Sequence, residues 1–147
     1  MKINPINNRQ KIQFESKFRD TSVLNFGICR AIFLGDKGFF NAISRLANDG
    51  LNREIVVNGS HSINNRFINA TATLKIDNHE YTLKNSKKKS PDFNGLQLMA
   101  ENAIKLIKNF VAKTSNISKE ALNEKATGAE LVRIGNEFCA QHLYSKH

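Results

Sequence analysis

The feature that most constrains the fold is a strict alternation of apolar and polar residues beside a two-residue turn. Apolar side chains occupy every second position from Ile68 to Ile76, and polar side chains lie between them. A period of two is that of a strand with one buried face. Asp77 and Asn78 follow, and both residue types tolerate the positive φ angles that a type I′ turn requires. The sequence therefore predicts a β-hairpin over residues 68–84.

This turn sets the register of the two predicted strands. Counting outward from the turn, Lys75 faces Glu80. The other pairs are Ile76 with His79, Leu74 with Tyr81, Thr73 with Thr82 and Ala72 with Leu83. Leucine and alanine thus face apolar partners on one side of the hairpin, while Thr faces Thr and Lys faces Glu on the other. An isolated hairpin is only marginally stable in water, so its apolar face predicts a cover from elsewhere in the chain.

A long amphipathic segment further along the chain provides that cover. Apolar residues at helical spacing are Leu96, Met99, Ala103, Leu106, Ile107 and Phe110. They would line one face of a helix, and Glu101 lies four residues before Lys105 on the other face. Two shorter helices are predicted after it, one capped by Ser118 and the other by Thr127 with Glu130.

Other segments complete a mixed pattern of helices and strands. Asp36 is the predicted N-cap of a helix that ends near Gly50. Residues 12–18 alternate as a half-buried strand does, and residues 53–57 predict another strand, followed by a loop through GSHSINN. Residues 22–34 are rich in apolar side chains, and their pattern fits a buried strand and a buried helix equally well.

These elements predict an α+β fold. We expect an antiparallel β-sheet, built from the hairpin at 68–84 and further strands, covered by the long amphipathic helix, with a helical C-terminal part. A chain of 147 residues is long enough to bury one core, so we expect a single domain over residues 11–147 after a flexible arm at 1–10. No signal-peptide pattern and no run of ~18 apolar residues is present, which predicts a cytoplasmic protein that does not associate with membranes.

The net charge of +9 is the strongest departure from average composition. Basic chains attract nucleic acid and other polyanions, because neutralising phosphates releases counterions. One compact charge run, KNSKKKSPDFNG, lies on a predicted exposed loop between the hairpin and the long helix. The candidate polyanion-binding residues are Lys84, Lys87, Lys88 and Lys89 in that run, with Lys105 and Lys108 on the long helix. The competing interpretation is a solvated loop in a chain whose Lys, Asn and Ile content reflects AT-rich codons.

No pattern of catalytic or metal-ligating residues can be recognised in the sequence. Glycine-rich phosphate loops and CxxC pairs are absent and the histidines lack ligand spacing, so we expect no metal and no cofactor. Cys29 and Cys139 lie in apolar stretches that are typical of buried thiols. Cys139 and His142 would share one helix face, which leaves a Cys/His-dependent enzyme, with His79 as a second candidate base, as an alternative.

The order of predicted elements over residues 36–112 is similar to that of double-stranded RNA-binding domains: a helix, strands with a hairpin, a lysine cluster and a helix. Those domains place their lysines at the start of the final helix, whereas residues 90–95 separate Lys89 from the apolar stripe here. The resemblance concerns the order of elements and implies RNA contact only by analogy. Phe67, on the polar face of its strand, is either a platform for a base or a side chain packed against a neighbouring loop.

Three functions follow from these patterns. The preferred hypothesis is a non-enzymatic interaction module that binds an unknown protein partner through its surface, because no acid, base, nucleophile or metal set converges. The second is nucleic-acid binding through the Lys-rich loop. The third is a small enzyme that depends on a Cys/His pair.

Overall fold

The computed structural model describes residues 16–144, in which four strands form one sheet. The strands are β1 (Lys17–Arg19), β2 (Glu54–Ile63), β3 (Phe67–Ile76) and β4 (His79–Lys88), in that order across the sheet. β2, β3 and β4 are antiparallel, as predicted, but β1 pairs parallel with β2. The sheet is therefore mixed, because two helices carry the chain from β1 to β2 and return it in the same direction.

Five helices accompany the sheet in this part of the chain. They are α1 (Ser22–Leu34), α2 (Lys37–Ala47), α3 (Gly95–Thr114), α4 (Lys119–Leu122) and α5 (Gly128–His142). The ambiguous segment at 22–34 is thus a helix. The predicted arm at 1–10 and most of the predicted strand at 12–18 lie outside the described residues. No helix within residues 16–144 is both long and apolar enough to cross a membrane.

The β3–β4 hairpin has the predicted register. Lys75 is paired with Glu80 and Ile76 with His79. Only the turn type differs, because Asp77 has a positive φ of 54° whereas Asn78 does not have a positive φ. A type I′ turn needs positive φ at both central residues, so the turn is not of that type.

Two segments that were predicted to be loops are strands in the structure. β2 continues past residue 57 to Ile63, and the GSHSINN stretch belongs mostly to the strand. β4 likewise continues through Lys87 to Lys88, so the first five residues of the predicted Lys-rich loop, including three of its four lysines, belong to an edge strand. The reason is the length of β3, whose ten residues offer backbone hydrogen bonds to both neighbours along their full extent.

Three predicted helix caps are present in the structure, whereas the capping box that Asn94 and Gln97 form at the start of α3 was not predicted. Asp36 accepts a hydrogen bond from the Phe39 backbone N–H at 3.0 Å and caps α2. Ser118 caps α4 and Thr127 caps α5 through their side-chain oxygens. Each such bond satisfies a backbone donor that the first helical turn leaves unpaired.

The core lies between one face of the sheet, here called the inner face, and the helices. Every second residue of β3 from Ile68 to Ile76 is buried on this face. α3 packs against it with a buried stripe that includes Leu98, Met99, Ala103, Leu106, Ile107 and Phe110. Burial of a large apolar side chain contributes about 1.5–3 kcal/mol, so α3 is the main cover of the hairpin, as predicted. Glu101 on α3 pairs with Arg30 of α1, at 2.7 Å, which joins these two helices.

A polar contact lies inside this apolar layer. Asn102 of α3 is fully buried, and its amide nitrogen donates to the side-chain oxygen of Asn85 at 3.1 Å and to the Ala70 carbonyl at 3.4 Å. These bonds connect α3 to both strands of the hairpin. Burying an amide group without hydrogen-bond partners costs free energy, so these bonds favour one position of α3 along the sheet.

Candidate polyanion-binding site

The lysines of the charge run are separated by the alternation of β4. Lys84 and Lys88 point to the face of the sheet away from the helices, here called the outer face, because their partners Thr71 and Phe67 alternate with the buried residues of β3. Lys87 is on the inner side, where its ammonium lies 4.7 Å from the centre of the Phe93 ring. A loop would have allowed all the lysines to converge, whereas a strand sends successive side chains in opposite directions.

The turn between β2 and β3 brings an arginine to this end of the sheet. The side-chain oxygen of Asn64 accepts hydrogen bonds from the backbone N–H groups of Arg66, at 3.0 Å, and Phe67, at 2.7 Å. The Lys89 backbone N–H donates to the Arg66 carbonyl at 2.7 Å. These bonds place Arg66 beside the end of β4. Arg66 was not among the predicted site residues. The hairpin register, continued outward from the turn, places Lys88 opposite Phe67, and Arg66 is the residue before Phe67.

A depression of about 580 Å³ opens between this turn and the end of β4. It is lined by Asn65, Arg66, Lys88, Lys89, Ser90 and Pro91. Three of the six residues are cationic and none is acidic. A guanidinium offers a planar fork that matches a phosphate, and the two ammonium groups add charge. The depression therefore brings together residue types that bind phosphate groups in proteins.

Phe67 adjoins this depression on the outer face. It is 43% exposed, and it is the direct cross-strand neighbour of Lys88. The outer face beside it is polar. The side chains of Asn69 and Ser86 are hydrogen-bonded, and the hydroxyl oxygens of Thr73 and Thr82 are 3.4 Å apart. An aromatic ring at the edge of a solvated polar face is available for stacking.

The other two candidate lysines lie elsewhere. Lys105 is exposed on the side of α3 away from the sheet, and α3 itself covers the inner face. Lys108 is on the same helix, and its ammonium lies 3.1 and 3.2 Å from the two carboxylate oxygens of Asp36. The structure thus does not bring these two lysines together with Lys84, Lys88 and Lys89.

An apolar groove is present on the helical side of the molecule. It has a volume of about 290 Å³ between α1 and α3 and is lined mainly by Phe26, Cys29, Phe33 and Leu96. Phe33 is 77% exposed, the most of any aromatic residue described. The charged residue of the groove, Arg30, is already paired with Glu101 and lies 5.0 Å from the Phe33 ring. The groove is therefore apolar and electrically neutral.

Cys139 lies in the core and not in a cleft. Its side chain is 6% exposed, and burial raises the pKa of its thiol, an effect that a hydrogen bond from Tyr144 partly opposes. His142 packs with its ring against Phe138, at 4.8 Å between centroids. A raised pKa keeps the sulfur protonated, which is unfavourable for a nucleophile. Within residues 16–144, no three His, Cys, Asp or Glu side chains are grouped so that they could hold a metal ion.

The order α2, β2, β3, β4, α3 reproduces the order of elements in double-stranded RNA-binding domains. The cations are placed differently, since the depression and its lysines lie at the end of the sheet and not at the start of α3. Comparison with protein-family models, curated proteins and solved structures gives no match. The likeness to those domains is thus one of element order.

Proposed function

We propose that this protein binds nucleic acid through a basic patch formed by Arg66, Lys84, Lys88 and Lys89. The observation that carries the proposal is the depression at the end of the sheet, where three of these cations line one space without an acidic residue. Phosphate contacts of this kind are independent of sequence and position the nucleic acid on the protein.

The absence of ion pairs within the patch supports this proposal. Six of the other fourteen Lys and Arg side chains in residues 16–144 form ion pairs, for example Arg19 with Glu54, at 2.8 Å, and Arg30 with Glu101. The four patch residues form no ion pair among residues 16–144. Neighbouring like charges repel one another, and a bound polyanion relieves that repulsion and releases its own counterions.

The extent of the patch favours an extended polyanion over a small anion. Lys84 and Lys88 lie on the same face four residues apart, which corresponds to about 13 Å at ~3.3 Å per residue. Lys88 lines the depression but Lys84 does not, so a single phosphate bound there leaves Lys84 without an anionic partner. A chain of phosphates that runs along β4 contacts the depression and Lys84 together.

The alternative functions have weaker support. The apolar groove with Phe33 favours a protein partner, but its one charged residue is already paired and so gives little basis for partner selection. An enzyme that uses Cys139 would need a reactive thiolate, and burial disfavours that form. Nucleic-acid binding is favoured because the charged groups of Arg66, Lys84, Lys88 and Lys89 form no ion pair within residues 16–144 and are available to phosphates.

The proposal is tested with two variants that each lose three positive charges, one at the site and one elsewhere on the protein. The site variant combines Arg66→Gln, Lys88→Gln and Lys89→Gln. The control combines Lys105→Gln, Lys113→Gln and Lys119→Gln, which removes the same charge from exposed positions on helices. Binding is measured by fluorescence anisotropy with a labelled oligonucleotide over a series of salt concentrations.

The site variant should bind at least about tenfold more weakly at low salt. Its log–log salt slope should fall by about 0.7–0.9 for each phosphate that the protein no longer neutralises. The control should stay close to the unmodified protein. Equal weakening in both variants would show that net charge alone attracts the oligonucleotide, and the proposed site would then be wrong.

A further inference from the structure

The position of Phe67 identifies the form of nucleic acid that suits the basic patch. Its neighbours along and across the strands on the outer face are Asn69, Ser86 and Lys88, none of which is aromatic. Phe67 is 43% exposed, and the other residues of β3 that face outward are polar. We propose, on the basis of the proposed function, that the ligand is single-stranded and that Phe67 stacks against one of its bases.

The geometry of the patch places the two kinds of contact side by side. Arg66 precedes Phe67 in the chain, and Lys88 lies directly across from it. A phosphate held by these cations therefore lies next to the exposed ring. Binding of single strands combines these elements, a basic surface that follows the backbone and aromatic rings on which bases stack.

A duplex cannot use Phe67 in this way. Its bases are stacked on one another and show only their edges in the grooves, so a ring on an open sheet has no base face to contact. An unpaired base exposes its whole face. The outer face also provides hydroxyl and amide groups, including those of Asn69 and Ser86, that can bond to the edge of a stacked base.

The test separates phosphate contacts from base contacts by using ligands of equal charge. Binding of oligo(dT) is compared with binding of an abasic oligodeoxynucleotide of the same length, which keeps the phosphates and lacks the bases. A duplex of the same length is the third ligand, and oligo(U) shows whether RNA and DNA differ. Each is measured with the unmodified protein, Phe67→Ala and Phe67→Trp, with Phe33→Ala as the matched exposed-aromatic control.

Phe67→Ala should weaken oligo(dT) binding by about tenfold, within the range typical of base–aromatic stacking, and should leave abasic binding unchanged. Phe67→Trp should retain the affinity, because it keeps an aromatic face. Phe33→Ala should bind as the unmodified protein does. Thermal unfolding by circular dichroism shows whether each variant is folded. Phe67→Leu, which keeps an apolar side chain but has no aromatic face, replaces Phe67→Ala if that variant does not fold and should show the same loss of oligo(dT) binding.

Two results would overturn this inference while leaving the proposed function intact. One is unchanged oligo(dT) binding by Phe67→Ala while the Arg66, Lys88 and Lys89 triple variant loses binding. The other is equal affinity of the unmodified protein for oligo(dT), the abasic strand and the duplex. If the triple variant binds oligo(dT) normally, the proposed function fails, and the role of Phe67 fails with it.

Discussion

The ammonium of Lys108 lies 3.1 Å from the carboxylate of Asp36, and this pair joins the middle of α3 to the N-terminus of α2. Asp36 is nearly buried and also caps α2 through the Phe39 N–H. One carboxylate thus stabilises a helix end and a contact between two helices. A lysine that the sequence assigned to polyanion binding is, in the structure, part of the packing.

Replacing Lys108 should therefore affect stability and not nucleic-acid binding. Lys108→Met keeps the length of the side chain but leaves the Asp36 carboxylate without its cation in a poorly solvated position. We expect a loss of about 1–3 kcal/mol in the free energy of unfolding, measured with urea. Lys105→Met, on the exposed side of the same helix, is the control and should change it by less than ~0.5 kcal/mol. A Lys108→Met protein of unchanged stability would contradict this role.

Gly38 should not tolerate a side chain. A Cβ on this residue would lie 1.8 Å from the carbonyl oxygen of Leu122, which belongs to the backbone of α4 and cannot move away alone. We expect Gly38→Ala to destabilise the protein by about 2 kcal/mol or more through overpacking. Gly128→Ala is the matched control, because no atom lies within 4 Å of its Cβ position and the residue begins a helix. Thermal unfolding of the two variants should separate them clearly.

The ion pair between Lys37 and Glu124 predicts a pH dependence. A hydrogen bond from Asn41, followed by the pair with Lys37, holds the pKa of Glu124 below its ordinary value. A lowered pKa contributes stability above the unfolded-state pKa, and that contribution is lost as the pH falls through the folded-state value. Glu124→Gln should therefore lose less stability on acidification than the unmodified protein does, in urea titrations between neutral and acid pH. Glu120→Gln, which removes the same charge from an exposed position of α4 that forms no ion pair within residues 16–144, is the matched control.

The two thiols should differ in reactivity. The prediction of a buried thiol was wrong for Cys29, which is exposed on α1, whereas Cys139 is buried and burial raises the pKa of its thiol. In the folded protein at about pH 8, iodoacetamide should modify Cys139 on the order of a hundredfold more slowly than Cys29, since its reaction requires local opening. Mass spectrometry of the Cys29→Ser and Cys139→Ser variants follows each thiol alone. Rapid modification of Cys139 would show that its thiol is accessible and would support the enzyme hypothesis.

Several elements could be predicted because their causes are local. The pairing of Lys75 with Glu80 follows from a two-residue turn and from side chains within a few positions of it. The caps at Asp36, Ser118 and Thr127 need only the next turn of the chain. Interactions at such short separation depend little on the rest of the fold.

The site was predicted only in part because its causes are distant in sequence. The lysines were recognised as a group, but their division between two faces depends on β4 continuing as a strand, and that requires the full length of β3 beside it. Arg66 joins Lys89 through a backbone hydrogen bond across the sheet. Neither residue carries a local signal for that contact.

The sequence by itself determined the hairpin, its register, the long covering helix and the helix caps at Asp36, Ser118 and Thr127, because period and capping act between neighbours along the chain. Only the tertiary structure decided that residues 22–34 are a helix, that β1 runs parallel to β2, and that Lys108 pairs with Asp36. An apolar run is compatible with either conformation until its packing partners are present. The choice is then made by burial and by backbone hydrogen bonds between segments that are far apart in the chain.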